Sequence, residues 1–295
     1  MGSKSAKIAL IQVKIQADKR ANFANLSQSI ETAKSRGAQL VCLPELFTIP
    51  YPAQIKNPQH RALAEFIPGE SSAFLKEEAI KHKISIVGGS LYETTETGGF
   101  FNTALVYDST GQLQGKYRKM HIPHDPHYYE QYYFQPGDLG YIQSSLEGLT
   151  IAPLICYDQW FPEPARINAL MGAQILMYPT AIGWTQEMRD LEPFSAKRWE
   201  RAMCSHASLN GVYAAGVNRV GIEDEIEFWG SSFVADPFGE VIARASATDE
   251  EVLVVDIDLA KIIESQDGWG FLQNRRPESY GELTKLRNRF QTKRE

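Results

Sequence analysis

Cysteine is scarce in this chain of 295 residues: Cys42, Cys156 and Cys204 are the whole supply. An odd, small number without paired spacing does not build a disulfide framework, and a reducing, cytoplasmic setting is the expectation. Long apolar runs are missing too. None reaches the roughly 20 residues that a membrane-spanning helix needs, so no membrane partner is expected. Basic charge is not in excess: the formal net charge is −6. That argues against a nucleic-acid partner, which would need a concentrated basic surface. There is no Gly/Ser/Pro-rich linker, low-complexity tract or short-period repeat. Residues 1–295 therefore read as a single domain, with a core over about 7–258 and a polar, basic arm over 259–295 at a subunit contact.

What the chain does have is an ordinary globular composition, 43% hydrophobic and 22% charged, enough to bury a large core. Residues 7–13 are almost continuously apolar, as a strand buried on both faces would be. Phe23, Leu26, Ile30 and Ala33 then follow at helical spacing, and Gly37 is placed to end that helix. A second buried strand covers 39–43. Similar alternation predicts strands near 84–89, 149–156, 174–178 and 211–218, helices near 71–82, 163–171 and 197–210, and hairpins around Ser109-Thr110-Gly111 and Pro237-Phe238-Gly239. Crossovers mixed with hairpins indicate an α/β protein of mixed sheets covered by helices.

Three polar residues lie just past predicted strand ends, where α/β sheets tend to bind ligands. Glu45 follows Leu40-Val41-Cys42-Leu43-Pro44, Lys119 follows Gln114-Gly115-Lys116-Tyr117-Arg118, and Cys156 follows Ile151-Ala152-Pro153-Leu154-Ile155. Taken singly, these are a turn carboxylate, a surface lysine and a small buried hydrophobe. Together they make a chemical set. A thiol needs a base or a cation to become a nucleophile. Glu45 can take that proton and return it to a leaving amine. Lys119 and the backbone N–H of Tyr157 can stabilise an oxyanion.

At these residues the sequence resembles the nitrilase superfamily, the carbon–nitrogen hydrolases. The blocks that carry the likeness are Leu43-Pro44-Glu45-Leu46-Phe47, Tyr117-Arg118-Lys119-Met120-His121-Ile122-Pro123 and Ile155-Cys156-Tyr157-Asp158-Gln159-Trp160-Phe161-Pro162-Glu163, in the family's order and approximate spacing. The resemblance implies a four-layer αββα sandwich with a C-terminal arm, pairing into dimers and larger homo-oligomers. It implies a Glu45–Lys119–Cys156 triad. A second glutamate expected between the lysine and cysteine blocks falls on Glu130. Within the superfamily the chain looks most like the N-carbamoylputrescine amidohydrolases, through His121-Ile122-Pro123-His124-Asp125-Pro126, Tyr133-Phe134-Gln135-Pro136-Gly137-Asp138 and Tyr178-Pro179-Thr180-Ala181-Ile182-Gly183. That likeness implies release of putrescine, carbon dioxide and ammonia in polyamine biosynthesis. The segment from Trp184 to Trp199 matches less well.

A small ureido or amide substrate with a cationic amine would want carboxylates and aromatic walls. The candidates are Asp125, Asp158 and Glu187, with Tyr51, Tyr129 and Trp160 as walls and Thr180 beside them. The group His121, His124, Asp125 and His127 has ligand chemistry, but its spacing follows no zinc signature. The cysteine chemistry requires no metal, and no cofactor is expected. The rival enzymes are a β-ureidopropionase-like or ω-amide hydrolase. The rival of another class is a catalytically silent scaffold, which would be expected to have lost part of the triad.

Overall fold

The computed structural model describes residues 5–285; the Met1-Gly2-Ser3-Lys4 start and the basic residues Arg287, Arg289, Lys293 and Arg294 lie outside the described residues. Sixteen strands follow in chain order. They are β1 (Ser5–Gln12), β2 (Leu40–Cys42), β3 (Ser85–Val87), β4 (Leu91–Thr94), β5 (Phe100–Tyr107), β6 (Leu113–Arg118), β7 (Ser144–Leu146), β8 (Leu149–Pro153), β9 (Ile175–Thr180), β10 (Gly183–Trp184), β11 (Tyr213–Asn218), β12 (Val220–Glu223), β13 (Ile226–Trp229), β14 (Phe233–Ala235), β15 (Val241–Arg244) and β16 (Glu251–Asp258). The α-helices are α1 (Lys19–Ser35), α2 (Glu70–His82), α3 (Pro162–Leu170), α4 (Gln186–Leu191), α5 (Ser195–Asn210) and α6 (Leu259–Trp269).

One seven-stranded sheet runs β16-β1-β2-β3-β5-β4, with β6 on the other edge of β5; a six-stranded sheet runs β15-β14-β11-β9-β8-β7. The period-2 side-chain alternation of β1 explains the stacking. Ile8 and Leu10 join Cys42, Val106, Ile151, Met177 and Val217 in an apolar layer between the two sheets. Ala9 and Ile11 point the other way, onto Leu26, Ile30 and Ala33 of α1 and Leu75 and Ala79 of α2. On the outer face of the second sheet, Leu176 and Ala214 pack under Ala165 of α3 and under Trp199, Met203 and Ala207 of α5. The result is the expected αββα order, and because both faces of the inner strands are covered, β2, β9 and β11 are buried along their whole length.

The helix boundaries have local causes. Asp18 caps α1 by accepting the Arg20 N–H at 2.9 Å, and Gly37, at φ +87°, turns the chain out of it. α5 stops at Gly211 in the left-handed region, φ +59°. Two features depart from the sequence reading. A small third sheet, β10-β13-β12, lies beyond the predicted elements. The expected arm begins instead as α6, capped by Asp258 and docked through buried Ile262 and Ser265, the latter donating to the Pro237 carbonyl at 2.9 Å. Polar composition had concealed this one-sided contact.

Candidate active site

The chain leaves β2 at Cys42 and reaches Glu45 through Leu43, whose N–H bonds the Val87 carbonyl at 3.0 Å. The turn is tight: Gly89, at φ +50°, lies so near that a Cβ there would sit 2.0 Å from the Pro44 carbonyl oxygen. Only glycine fits that approach. Glu45 is fully buried, and Asn102 from β5 donates to its Oε1 at 2.8 Å. Its Oε2 has no hydrogen-bond partner among the described residues.

Lys119 follows β6 directly. Its own N–H bonds the Asn102 carbonyl, and its carbonyl accepts from Gly137, both at 2.8 Å, so the backbone is pinned on both sides. The ammonium donates to Glu45 Oε1 at 2.8 Å and to Glu130 Oε1 and Oε2 at 2.9 and 2.7 Å. Lys119 and Glu45 have no exposed surface and Glu130 only 1%. Burial alone would lower the Lys119 ammonium, but Glu130 and Glu45 outweigh it and hold it above its ordinary range. Burial pushes the Glu130 carboxyl up, Lys119 pulls it back, and Glu45 pushes it up again; the net direction is upward.

Cys156 sits at the head of a short 3-10 turn, Cys156–Trp160, just past β8. Its φ of +37° is unusual for a side chain with a Cβ. Asp158 holds this turn from inside: Oδ2 accepts the Ile155 N–H at 3.0 Å and the Tyr117 hydroxyl at 2.8 Å, while Oδ1 accepts the His121 N–H at 3.1 Å and meets His121 Nδ1 at 2.7 Å. Burial pushes the Cys156 thiol well above its ordinary range, and Glu45 and Glu130 add to this. Lys119 and the Ala181 backbone N–H act in the opposite direction. The structure thus brings Glu45, Lys119, Glu130 and Cys156 within electrostatic reach of one another, with Tyr157 next in the turn.

The proposed substrate contacts fare differently. Asp158 is fully buried with both oxygens occupied, so it is a support for the nucleophile turn rather than an open carboxylate. Tyr51 is 2% exposed, and its hydroxyl donates to Glu130 Oε1 at 2.7 Å. Thr180 is buried and donates to the Tyr178 carbonyl at 2.8 Å. Glu187 is exposed on the first turn of α4, where a negative charge suits the helix dipole. Trp160 carries the Arg198 guanidinium 5.7 Å from its ring, and Tyr129 carries the Lys56 ammonium at 4.8 Å; cations of the chain itself already lie over those rings. Asp125 lines a groove of about 780 Å³ with His121, His124, Gln131, Tyr157 and Phe161. Glu45, Lys119, Glu130 and Cys156 do not line it. Among the described residues, no group of three or more His, Cys, Asp or Glu is arranged to hold a metal.

Asn102 was not singled out from sequence, and Tyr128 only as the start of an aromatic-rich stretch read as a substrate wall. The Tyr128 hydroxyl donates to the Gly183 carbonyl and accepts its N–H, each at 2.9 Å, and its ring stands 5.6 Å from that of Tyr51. It lies within electrostatic reach of Cys156, Glu45 and Glu130. The aromatic-rich stretch 128–134 was the only signal. No helix among the described residues is long and apolar enough to cross a membrane.

Known proteins resemble this chain along nearly its whole length. The family model for carbon-nitrogen hydrolases matches residues 7–267, which includes most of α6. A tomato (Solanum lycopersicum) N-carbamoylputrescine amidase is 36% identical over 95% of both chains. A citrullinase of Francisella tularensis is 34% identical over 95% of this chain and 98% of its own. The crystal structure of a carbon-nitrogen hydrolase from Helicobacter pylori G27 superposes with a TM-score of 0.91 at 36% identity, covering 96% of this chain and 99% of that one. With a family match across nearly the whole chain and relatives of near-equal length, this protein belongs to the carbon–nitrogen hydrolase family and is a hydrolase acting on carbon–nitrogen bonds.

Proposed function

We propose that the chain hydrolyses a ureido compound with a cationic amine, N-carbamoylputrescine, to putrescine, carbon dioxide and ammonia, through a covalent intermediate on Cys156. The observation that carries the mechanism is the buried Lys119 ammonium bracketed by Glu45 and Glu130, with Glu45 Oε2 lacking a hydrogen-bond partner among the described residues and lying within electrostatic reach of a Cys156 thiol that burial favours in its neutral form. A neutral thiol calls for proton removal during attack, not before it. Glu45 Oε1 is committed to Lys119 and Asn102, so Oε2 is the oxygen that receives the proton. Cys156 Sγ bonds the ureido carbon, and the carbonyl oxygen takes up negative charge facing Lys119 and the Tyr157 N–H. Glu45 then delivers its proton to the departing nitrogen as the carbon–nitrogen bond breaks. Water, activated by Glu45, releases the carbon from sulfur as a carbamic acid and restores the thiol; the carbamic acid then breaks its remaining carbon–nitrogen bond to give carbon dioxide and the second nitrogen product. Glu130, held by Tyr51, keeps the ammonium in place throughout.

The identity to the tomato amidase supports the substrate. A ureido amino acid such as citrulline is the second reading, favoured by the Francisella relative. The test is kcat/KM for N-carbamoylputrescine, citrulline, N-carbamoyl-β-alanine and an ω-amide. The highest value for N-carbamoylputrescine sustains the proposal; a higher value for another compound replaces the substrate. The exposed apolar side chains Ile167, Leu170 and Met171 near α3 and Leu209 on α5 also fit a face that pairs with a second copy.

A further inference from the structure

Arg219 lies between β11 of the six-stranded sheet and β12 of the small third sheet, 174 positions from Glu45, and its side chain has no exposed surface. Its Nη2 donates to the carbonyl oxygens of Glu45 at 2.7 Å and Leu46 at 3.0 Å. Its Nη1 donates to both oxygens of Glu223, at 2.6 and 2.8 Å, and the guanidinium lies 5.3 Å from the Phe228 ring centre. Glu223 Oε2 also accepts the Tyr51 N–H at 2.7 Å. Leu46 itself stands at φ +48°, where a leucine does not rest unless its surroundings hold it. Here they do, from both sides: Ser90 Oγ takes the Leu46 N–H at 3.0 Å, and Arg219 takes the carbonyl.

We infer that Arg219 is a positioning residue for the general base. The Arg219–Glu223 pair holds the Glu45 turn with one arm and the Tyr51 backbone with the other. Tyr51 in turn holds Glu130, so one buried ion pair sets the spacing of both carboxylates around Lys119. Two carbonyls and a carboxylate in different directions need the planar fork of arginine; a lysine ammonium is a point charge on a flexible stem and cannot span them in the same geometry. This inference rests on the proposed role of Glu45.

The test compares full-length Arg219→Lys, Glu223→Gln and Glu45→Gln with wild type, measuring kcat, KM and the pH profile of kcat on the best ureido substrate. Arg219→Lys is expected to lose about a hundredfold in kcat, the cost of an ångström-scale misplacement. Its KM should move less than about threefold, and the acidic limb of the profile should shift because the carboxylates re-space about Lys119. Arg219→Lys with kcat within about twofold of wild type overturns the role. So does a lower kcat with a profile that superposes on wild type, which reports only less folded enzyme. Should Arg219→Lys not fold, Glu223→Gln, which keeps an acceptor for Tyr51, decides by the same criteria. A Glu45→Gln enzyme with wild-type kcat removes the base assignment and the positioning role together. An inactive Glu45→Gln beside a wild-type-like Arg219→Lys removes the positioning role alone.

Discussion

The Tyr51 hydroxyl donates to Glu130 Oε1 at 2.7 Å, while both Glu130 oxygens receive the Lys119 ammonium. That hydrogen bond pulls the Glu130 carboxyl down against the burial that pushes it up. Tyr51→Phe therefore raises Glu130 further. If Glu130 must be ionised to hold Lys119, the acidic limb of kcat moves to higher pH in the variant. The stability loss should be about 0.5–1.5 kcal/mol, the net worth of one hydrogen bond. A pH–rate profile and a denaturant melt measure the two effects.

Alkylation of Cys156 by iodoacetamide should be slow at neutral pH, because burial and Glu45 hold the thiol above its ordinary range. Its thiolate then appears only at higher pH than in a free cysteine. Removing the Glu45 charge takes away a cause that raises it, so Glu45→Gln should alkylate at lower pH than wild type. Its kcat should still fall by about 10²–10⁴, the usual share of a general acid–base. Opposite movement of reactivity and turnover distinguishes a base from a mere neighbour.

Asp158→Asn should lower both kcat and thermal stability, since it weakens the support under Ile155, Tyr117 and His121. KM for the ureido substrate should hold, because no Asp158 oxygen is open to it. Glu187→Gln, on the exposed turn of α4, should change stability by less than about 0.5 kcal/mol. A large KM rise in Asp158→Asn would restore it as a substrate contact.

Lys119→Met strands two buried carboxylates. The expected loss is about 3–5 kcal/mol, the cost of removing one partner of a buried pair, together with loss of turnover. Chemical denaturation of the variant reads the first number.

The strand ends were legible because β1, β2, β8 and β9 are buried on both faces, and such strands leave apolar runs that stop where the chemistry begins. Glu45 and Cys156 stand just past such stops, after β2 and β8; Lys119 follows β6, whose sequence is mixed. Long-range partners left no comparable trace: Arg219 reaches Glu45 across 174 positions and Asn102 reaches it across 57, and neither residue type announces a partner. Asp158 reads two ways in the sequence. A carboxylate beside a nucleophile suits a substrate amine as well as a backbone N–H, and only the occupied oxygens decide between them. The start of the expected arm is α6, whose buried contacts, Ile262 and Ser265, lie on a single face.

Ammonia release from N-carbamoylputrescine by wild type and Cys156→Ala tests the central claim most directly. The account predicts ammonia and putrescine in equal amounts from wild type and none above background from the folded variant. A Cys156→Ala enzyme that turns over at the wild-type rate would contradict it.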